Sequence, residues 1–164
     1  DHEMRQTVRT LDGHPAIVRW TLFNEGWGQF DTKRLTKELK RLDPTRLVDA
    51  ASGWFDQRCG DVRSTHNYFF RLKVKTEKER ASILSEFGGF SMREKGHSAC
   101  PAIYGYRIFP GKKSLCHAYE KIWKEVRNLE RKGLCAAVYT QLSDIEEEVN
   151  GLWTYDREVL KIKD

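Results

Sequence analysis

The sequence has no apolar run that approaches the roughly 20 residues of a membrane-spanning helix. It also has no C-x-x-C pair, because its four cysteines lie far apart, at Cys59, Cys100, Cys116 and Cys135. This spacing excludes the common zinc-binding arrangements. A chain of 164 residues can bury a core without disulfides, so we expect free thiols rather than two disulfide bonds. We therefore predict neither a membrane span nor a metal site.

The charge of the chain is mildly positive, with 29 Lys and Arg residues against 24 Asp and Glu residues. The densest basic segment is RLKVKTEKER, over 71–80. A solvated surface explains this segment better than a nucleic-acid interface does, since the other cations are scattered along the chain. We expect no nucleic-acid partner and no membrane partner.

Hydrophobic periodicity divides the chain into helices and strands. After Asp31, which can cap a helix, leucines recur at spacings of four and three. Ser114 is the predicted N-cap of the clearest helix, and Gly133 ends it. We predict helices over 4–11, 32–42 and 115–129, strands over 16–23, 46–52, 61–69, 81–89 and 134–144 (the last one buried), an irregular segment over 90–113, and a final helical turn within 148–164.

Apolar strands that alternate with helices predict an α/β fold with a parallel sheet and helices outside it. In such folds the ligand lies at the carboxyl ends of the strands. Polar residues end these strands: Asn24, Glu25, Ser52, His66, Tyr68, Glu86 and Asp144. The sequence therefore predicts a site at this edge of the sheet.

Glu25 and Glu86 each end a strand, and glycine follows Glu25 directly and Glu86 after one residue, Phe87. Two carboxylates in one cleft are what glycoside hydrolysis requires, although surface acids at strand ends would give the same pattern. Asn24 favours the first interpretation, because its amide can bind a sugar hydroxyl. Aromatic residues near the strand ends also favour it, since rings stack on sugars, although we expect about half of them to lie in the core: Trp27, Trp54, Tyr68, Phe87 and Trp153.

Five segments together resemble the carboxyl-terminal part of the catalytic barrel of family 2 glycoside hydrolases, the β-galactosidase, β-glucuronidase and β-mannosidase group. They are HPAIVRWTLFNEGWGQFD, LDPTRLVDAASGW, DVRSTHNYF, ILSEFGG and AAVYTQLSDIEEEVNGLWTYDR, in this order. The resemblance implies a partial (β/α)8 TIM barrel that contains about strands four to eight. It also implies a retaining enzyme that acts on a carbohydrate substrate and needs no cofactor or metal.

The resemblance also assigns roles to individual residues. It implies that Glu25 is the general acid/base, that Glu86 is the nucleophile, and that Asn24 contacts the sugar 2-hydroxyl. His66 and Tyr68 match positions that line the sugar subsite. The remaining substrate-binding candidates, which rest on their place at strand ends, are Trp54, Gln141 and Asp144.

Five strands are too few for an eight-stranded barrel, so the single domain expected over 1–164 is only part of one. The chain begins at Asp1 rather than Met, and we favour a fragment of a longer enzyme. Two alternatives stay open: a truncated protein that self-associates to cover its open face, and a chain whose missing strands come from a separate partner. The sequence leaves localisation open.

Substrate specificity is less defined than the family. The segment FFRLKVKTEKER departs from the family pattern after the sixth strand, and the irregular segment offers Tyr104, Tyr106 and Phe109 as leaving-group contacts. No Asn-x-Lys signature of glucuronate-specific members is present, which favours a β-galactoside. The alternative function is an inactive, self-associating barrel remnant that serves as a carbohydrate-binding or interaction module.

Overall fold

The computed structural model describes residues 1–163. Its helices are α1 (His2–Leu11), α2 (Thr32–Leu42) and α3 (Lys112–Glu130). Its strands are β1 (Arg19–Thr21), β2 (Leu47–Asp49), β3 (Val62–Asn67), β4 (Ala81–Gly88), β5 (Phe90–Ser91), β6 (Arg107–Ile108) and β7 (Leu134–Thr140). None of the described helices is long and apolar enough to cross a membrane.

The strands form three sheets. Strand β1 pairs with β2 in parallel, and β5 pairs with β6 in the same way. The third sheet has the order β3-β4-β7, with β4 in the centre. Helices together with parallel strand pairs confirm the predicted α/β class. The assignment of the strands to positions four to eight of a barrel stays a prediction.

The chain divides into two compact units. Unit 1 contains residues 1–66, 74–85 and 133–136, and unit 2 contains residues 67–73, 86–132 and the described residues from Ala137 onward. Part of β3, of β4 and of β7 belongs to each unit. The single domain predicted over 1–164 stays a prediction.

Unit 1 has a core formed by two helices against a strand pair. Val8 of α1, Trp20 of β1, Leu39 of α2 and Val48 of β2 form one buried cluster. The leucine spacing in α2 explains this packing, because positions four apart lie on the same face of a helix. Burial of such side chains contributes roughly 1.5–3 kcal/mol each.

Asp43, at the end of α2, binds both β1 and the turn that follows α2. Its carboxylate accepts hydrogen bonds from the indole of Trp20 at 2.8 Å, the guanidinium of Arg46 at 2.7 Å and the hydroxyl of Thr45 at 2.6 Å. Asp43 itself is buried. These donors, with Thr45 first, hold the pKa of Asp43 well below its usual range.

Unit 2 is organised around α3 and a buried lysine. Phe90, Met92 and Leu115 form its apolar cluster. Lys161 is fully buried, and its ammonium donates to Asp144 at 2.6 Å and to the carbonyl oxygens of Val149 and Met92 at 2.9 and 3.1 Å. These acceptors compensate the cost of removing the ammonium from water.

The strand positions are confirmed, but their predicted extents are too long. Of the strand predicted over 16–23, only β1 forms. A turn lies at its predicted start, and beyond β1 the pairing continues only as an isolated bridge at Asn24. The segment 90–113 is not structureless, since it contains β5, β6 and the beginning of α3. Residues 148–163 form turns and isolated bridges rather than a helical turn, and residue 164 lies outside the described residues.

Two further predictions were wrong. The N-cap of α3 is Gly111 rather than Ser114, and the Ser114 hydroxyl instead donates to the Gly111 carbonyl oxygen at 2.8 Å from within the first turn. Strand β7 is not buried, because only Leu134 in it is buried and Val138 is 49% exposed. Apolar composition alone does not distinguish a covered strand from an exposed one.

We expect Asp43→Asn to lower the free energy of unfolding at pH 7 by about 3 kcal/mol, since it leaves Arg46 without its buried partner. The lowered pKa of Asp43 means that its stabilisation is present above the unfolded pKa, near 4, and is lost as pH falls towards the folded value. Urea unfolding of the purified chain at pH 7 and pH 3 measures both effects.

The matched control is Glu79→Gln, which neutralises an exposed carboxylate of the same unit. It should unfold like the parent chain at both values of pH. Equal losses of stability at pH 7 in the two variants would contradict the role of Asp43.

Candidate active site

Asn24 and Glu25 lie just beyond the end of β1. The Glu25 amide donates to the Ser52 carbonyl oxygen at 2.9 Å, and the Ser52 amide donates to the Phe23 carbonyl oxygen at 2.8 Å. These bonds continue the parallel pairing of β1 with β2 beyond the strands. Glu25 has φ +54°, a left-handed conformation that costs free energy in a residue other than glycine. The backbone thus holds Glu25 in a defined position.

The side chain of Glu25 is bound to His66, at the end of β3. Oε1 of Glu25 lies 2.7 Å from Nδ1 of His66, whose side chain is completely buried. The other ring nitrogen, Nε2, lies 3.0 Å from the Ser52 hydroxyl, and this hydroxyl donates to Ser85 at 2.9 Å. Because Ser52 donates to Ser85, its oxygen accepts from Nε2–H of His66. The bond between Nδ1 and Oε1 therefore holds one proton, on one atom or the other.

Gly53 makes room for the His66 ring. A Cβ atom at this position would lie 2.6 Å from two ring atoms of His66, and the φ of Gly53 is +87°. Glycine is therefore required here for both steric and conformational reasons. The next residue, Trp54, is 50% exposed, and its ring centroid lies 6.2 Å from that of His66. Unit 1 thus brings together four predicted site residues: Asn24, Glu25, Trp54 and His66.

In unit 2, Tyr68 is bound to the second glutamate. Its hydroxyl donates to Oε2 of Glu86, a residue near the end of β4. The same Tyr68 hydroxyl lies 3.1 Å from the Thr140 hydroxyl. Burial, followed by the contact with Glu86, raises the pKa of Tyr68 well above its usual range. The phenol therefore stays protonated and acts as a hydrogen-bond donor to the Glu86 carboxylate.

Gly89 allows two tyrosines to approach the backbone after β4. A Cβ atom at Gly89 would lie 2.8 Å from the Tyr106 ring and 2.9 Å from the Tyr68 ring, and its φ is +60°. The rings of Tyr68 and Tyr106 are stacked, with centroids 4.1 Å apart. The Gly89 amide also donates to the Thr140 carbonyl oxygen at 3.0 Å. Gly89 thus leaves the space that the Tyr68 ring occupies.

Gln141 belongs to a polar group in the same unit. Its amide donates to Oδ1 of Asn150 at 2.6 Å, and the Asn150 amide donates to Glu148 at 3.2 Å. Asn150 is buried and Gln141 is half-buried. The role of Gln141 as a substrate contact stays a prediction.

Asp144 differs from the other candidates, because it is buried within unit 2. Its Oδ1 accepts from Lys161 at 2.6 Å and from the Gly151 amide at 2.8 Å. Burial raises the pKa of Asp144 and lowers that of Lys161, while their mutual contact opposes both shifts. These contacts account for Oδ1 of Asp144 within unit 2, and the role of Asp144 as a substrate contact stays a prediction.

The predicted aromatic residues fall into two groups. Phe87 is fully buried and makes edge contacts with Trp123 and Tyr139, as core residues do. Trp27 is 81% exposed and Tyr104 is 50% exposed, so their rings are open to solvent.

A group of possible metal ligands lies on the surface of unit 2. His97, Asp156 and Glu158 each place one ligand atom within 4.8 Å of the others. Asp156, however, already accepts from His97 at 2.7 Å, from the Thr154 hydroxyl at 2.6 Å and from the Glu158 amide at 3.1 Å. These donors, with Thr154 first, lower the pKa of Asp156 to about 2. These hydrogen bonds satisfy the Asp156 carboxylate within a surface turn, and the group therefore gives no argument for a metal ion.

Sequence reasoning placed Ser52 among the polar strand ends, but it assigned no contact to Ser52, Ser85 or Thr140. Ser52, Ser85 and Thr140 contact His66 or Tyr68 directly or through one hydroxyl. All three lie in or just beyond a strand, which was the available signal. Hydroxyl residues are too common at such places to stand out without a structure.

Comparisons with known proteins bear on the fold and the family of the chain. Among solved structures, the chain is similar to the crystal structure of an FMN-binding beta-glucuronidase from Facaelibacterium prausnitzii L2-6, with a TM-score of 0.67 and 21% sequence identity. The match covers 96% of this chain and 29% of that one, so the chain spans less than a third of that protein. At this identity the likeness shows the fold alone. No curated protein matches the chain.

The family is shown by a model that covers most of the chain. Residues 2–129 match the family described as "Glycosyl hydrolases family 2, TIM barrel domain". This match includes both glutamates, and it confirms the resemblance drawn from the motifs. The chain belongs to the TIM barrel domain family of family 2 glycosyl hydrolases.

Proposed function

We propose that the chain is the carboxyl-terminal part of a retaining β-glycosidase barrel, with Glu25 as general acid/base and Glu86 as nucleophile. The observation that carries the proposal is that each glutamate has a dedicated partner, His66 for Glu25 and Tyr68 for Glu86. Surface acids at strand ends have no need of such partners. Family membership supports the same assignment.

In the first step, protonated Glu25 gives its proton to the glycosidic oxygen while a carboxylate oxygen of Glu86 attacks the anomeric carbon. The bond between this carbon and the leaving oxygen breaks, and a glycosyl ester forms on Glu86. In the second step, the Glu25 carboxylate takes a proton from water, which attacks the same carbon and releases Glu86. Two inversions give a product with the original β configuration.

The partner residues have defined tasks in this sequence. Tyr68 orients the Glu86 carboxylate through its hydrogen bond and stays protonated throughout, as its raised pKa requires. His66 holds Glu25 through the hydrogen bond between Nδ1 and Oε1. This bond contains one proton at the carboxyl group that must donate a proton in the first step and accept one in the second. Asn24, exposed beside Glu25, is the proposed contact of the sugar 2-hydroxyl.

We further propose a β-galactoside as substrate, since the chain has no Asn-x-Lys signature of glucuronate-specific members. Trp54 and Gln141 are proposed sugar contacts, Trp54 because half of its surface is exposed near His66. We propose that the rest of the barrel comes from a longer chain, with a second copy or a separate chain as the alternatives.

We expect Glu86→Gln to lower kcat by at least about 10⁴-fold on 4-nitrophenyl β-galactoside, because removal of a nucleophile leaves only binding and electrostatic contributions. Release of nitrophenol by the full-length protein measures the change, with the β-glucuronide and β-mannoside tested in parallel. Glu120→Gln, an exposed glutamate of α3, is the control and should act like the parent. Turnover by Glu86→Gln at the parent rate would refute the assignment of the nucleophile.

We expect Glu25→Ala to depend on the leaving group. Its kcat/KM should fall about 10²–10⁴-fold on alkyl β-glycosides, which need an acid, and far less on the 2,4-dinitrophenyl glycoside, which does not. Added azide should replace the missing base and give the β-glycosyl azide, detected by NMR. Equal losses on both substrates, without an azide product, would show that Glu25 is not the acid/base.

We expect the isolated chain of 19.2 kDa to self-associate, because apolar side chains such as Val18 (72% exposed) and Leu142 (71% exposed) lie open to solvent. Light scattering during size-exclusion chromatography gives its mass. A longer chain that also contains the missing barrel strands should give a single species of uniform mass. A stable monomer of the isolated chain would contradict the need for completion.

A further inference from the structure

A cavity of about 970 Å³ lies within unit 2 beside Tyr68. Its walls are the segment 67–72 that follows β3, the segment 107–114, and the first turns of α3. The first of these segments contains part of the sequence that departs from the family pattern, and the second belongs to the segment predicted to be irregular. The mechanism proposed above assigns no task to this cavity.

The cavity is strongly cationic. Five basic side chains line it, and Glu125 is its one carboxylate; the basic residues are Arg71, Arg107, Lys112, Lys113 and Lys121. Lys112 lies 3.9 Å from Glu94, which compensates part of its charge. Like charges that share a concave surface repel one another, and they raise the local concentration of anions. The net charge of the whole chain, +5, does not account for such a local excess.

The beginning of α3 makes this excess more pronounced. The first turn carries Lys112 and Lys113 and no acidic residue, and its N-cap, Gly111, has no side chain to accept a hydrogen bond. Basic residues at the N-terminus of a helix are opposed by the helix dipole, whereas an anion there is favoured. An anion bound in the cavity would therefore stabilise this end of the helix.

Aromatic rings give the cavity a second property. Phe69 is 68% exposed and Phe70 is 80% exposed, and both line it. The guanidinium of Arg107 lies over Phe90 at 4.8 Å and over Phe109 at 5.5 Å from the ring centroids. Stacking in this way holds a guanidinium in place while its N–H groups remain able to bind an anion. Ring faces and cations together match a sugar that carries a charged group.

We propose that this cavity binds an anionic sugar, sulfated or carboxylated, of a glycan substrate. Tyr68 connects the two sites, because this residue lines the cavity and its hydroxyl donates to Glu86. The inference rests on the proposed function in treating the ligand as part of a glycan substrate. The sugar that is cleaved stays uncharged, and the charged sugar is another unit of the same glycan.

The test is titration calorimetry on full-length protein that carries Glu86→Gln, so that binding is measured without turnover. The probe is a heparin-derived tetrasaccharide, and the uncharged comparison is chitotetraose. Lys121→Gln and Arg107→Gln should each weaken binding of the sulfated probe about tenfold, as loss of one charge-assisted hydrogen bond does. Lys124→Gln is the matched control, since it removes an exposed lysine of α3 that does not line the cavity.

The inference is supported if the sulfated probe binds, if its affinity falls with added salt, and if Lys124→Gln leaves its affinity unchanged. It is overturned if chitotetraose binds equally well, if Lys124→Gln weakens binding as much as Lys121→Gln, or if the sulfated probe does not bind. Inorganic sulfate that binds as tightly as the tetrasaccharide overturns the sugar assignment. Hydrolysis of an uncharged nitrophenyl glycoside by the parent protein tests the proposed function separately, so failure of one is distinguishable from failure of the other.

Discussion

The parallel pairing of β1 with β2 determines where the polar residues of unit 1 meet. Parallel strands end at the same edge, and the backbone bonds between Glu25 and Ser52 extend this edge by several residues. Ser52 then lies where its hydroxyl reaches His66, and Glu25 lies where its carboxylate reaches the other nitrogen of the same ring. If the two strands were displaced by one residue, these side chains would point to the opposite face and the contacts would be lost.

Close packing then restricts the residues around each glutamate. In unit 1, Gly53 leaves the space that the His66 ring occupies, and in unit 2, Gly89 leaves the space for Tyr68 and Tyr106. The His66 side chain is completely buried and Tyr68 is half-buried, and each has hydrogen-bond partners that compensate its burial. Gly53 and the second glycine of SEFGG, Gly89, thus keep the backbone open for candidate site residues and their supports.

The sequence was a good guide to the order of elements and to the polar strand ends, because hydrophobic period and turn residues are local signals. It was a poor guide to partners that are distant in the chain. Lys161, in an ordinary charged tail, is fully buried against Asp144, and nothing local distinguishes it from an exposed lysine. Ser114 looked like an N-cap, but extended backbone at Gly111 begins α3 earlier. The contacts of His66 and Tyr68 were likewise missed, because only the fold brings Ser52, known from the sequence just as a polar strand end, and Thr140 to them.

The account depends most on the assignment of Glu86 as the residue that forms the glycosyl ester. Reaction of the full-length protein with 2,4-dinitrophenyl 2-deoxy-2-fluoro-β-galactoside tests it directly, since the fluorine slows the second step and lets the ester accumulate. Mass spectrometry of proteolytic peptides locates the attached sugar. The account predicts one fluoroglycosyl group per chain, on Glu86. A label on Glu25 or on any other residue would contradict it, and so would continued turnover of this reagent with no residue labelled.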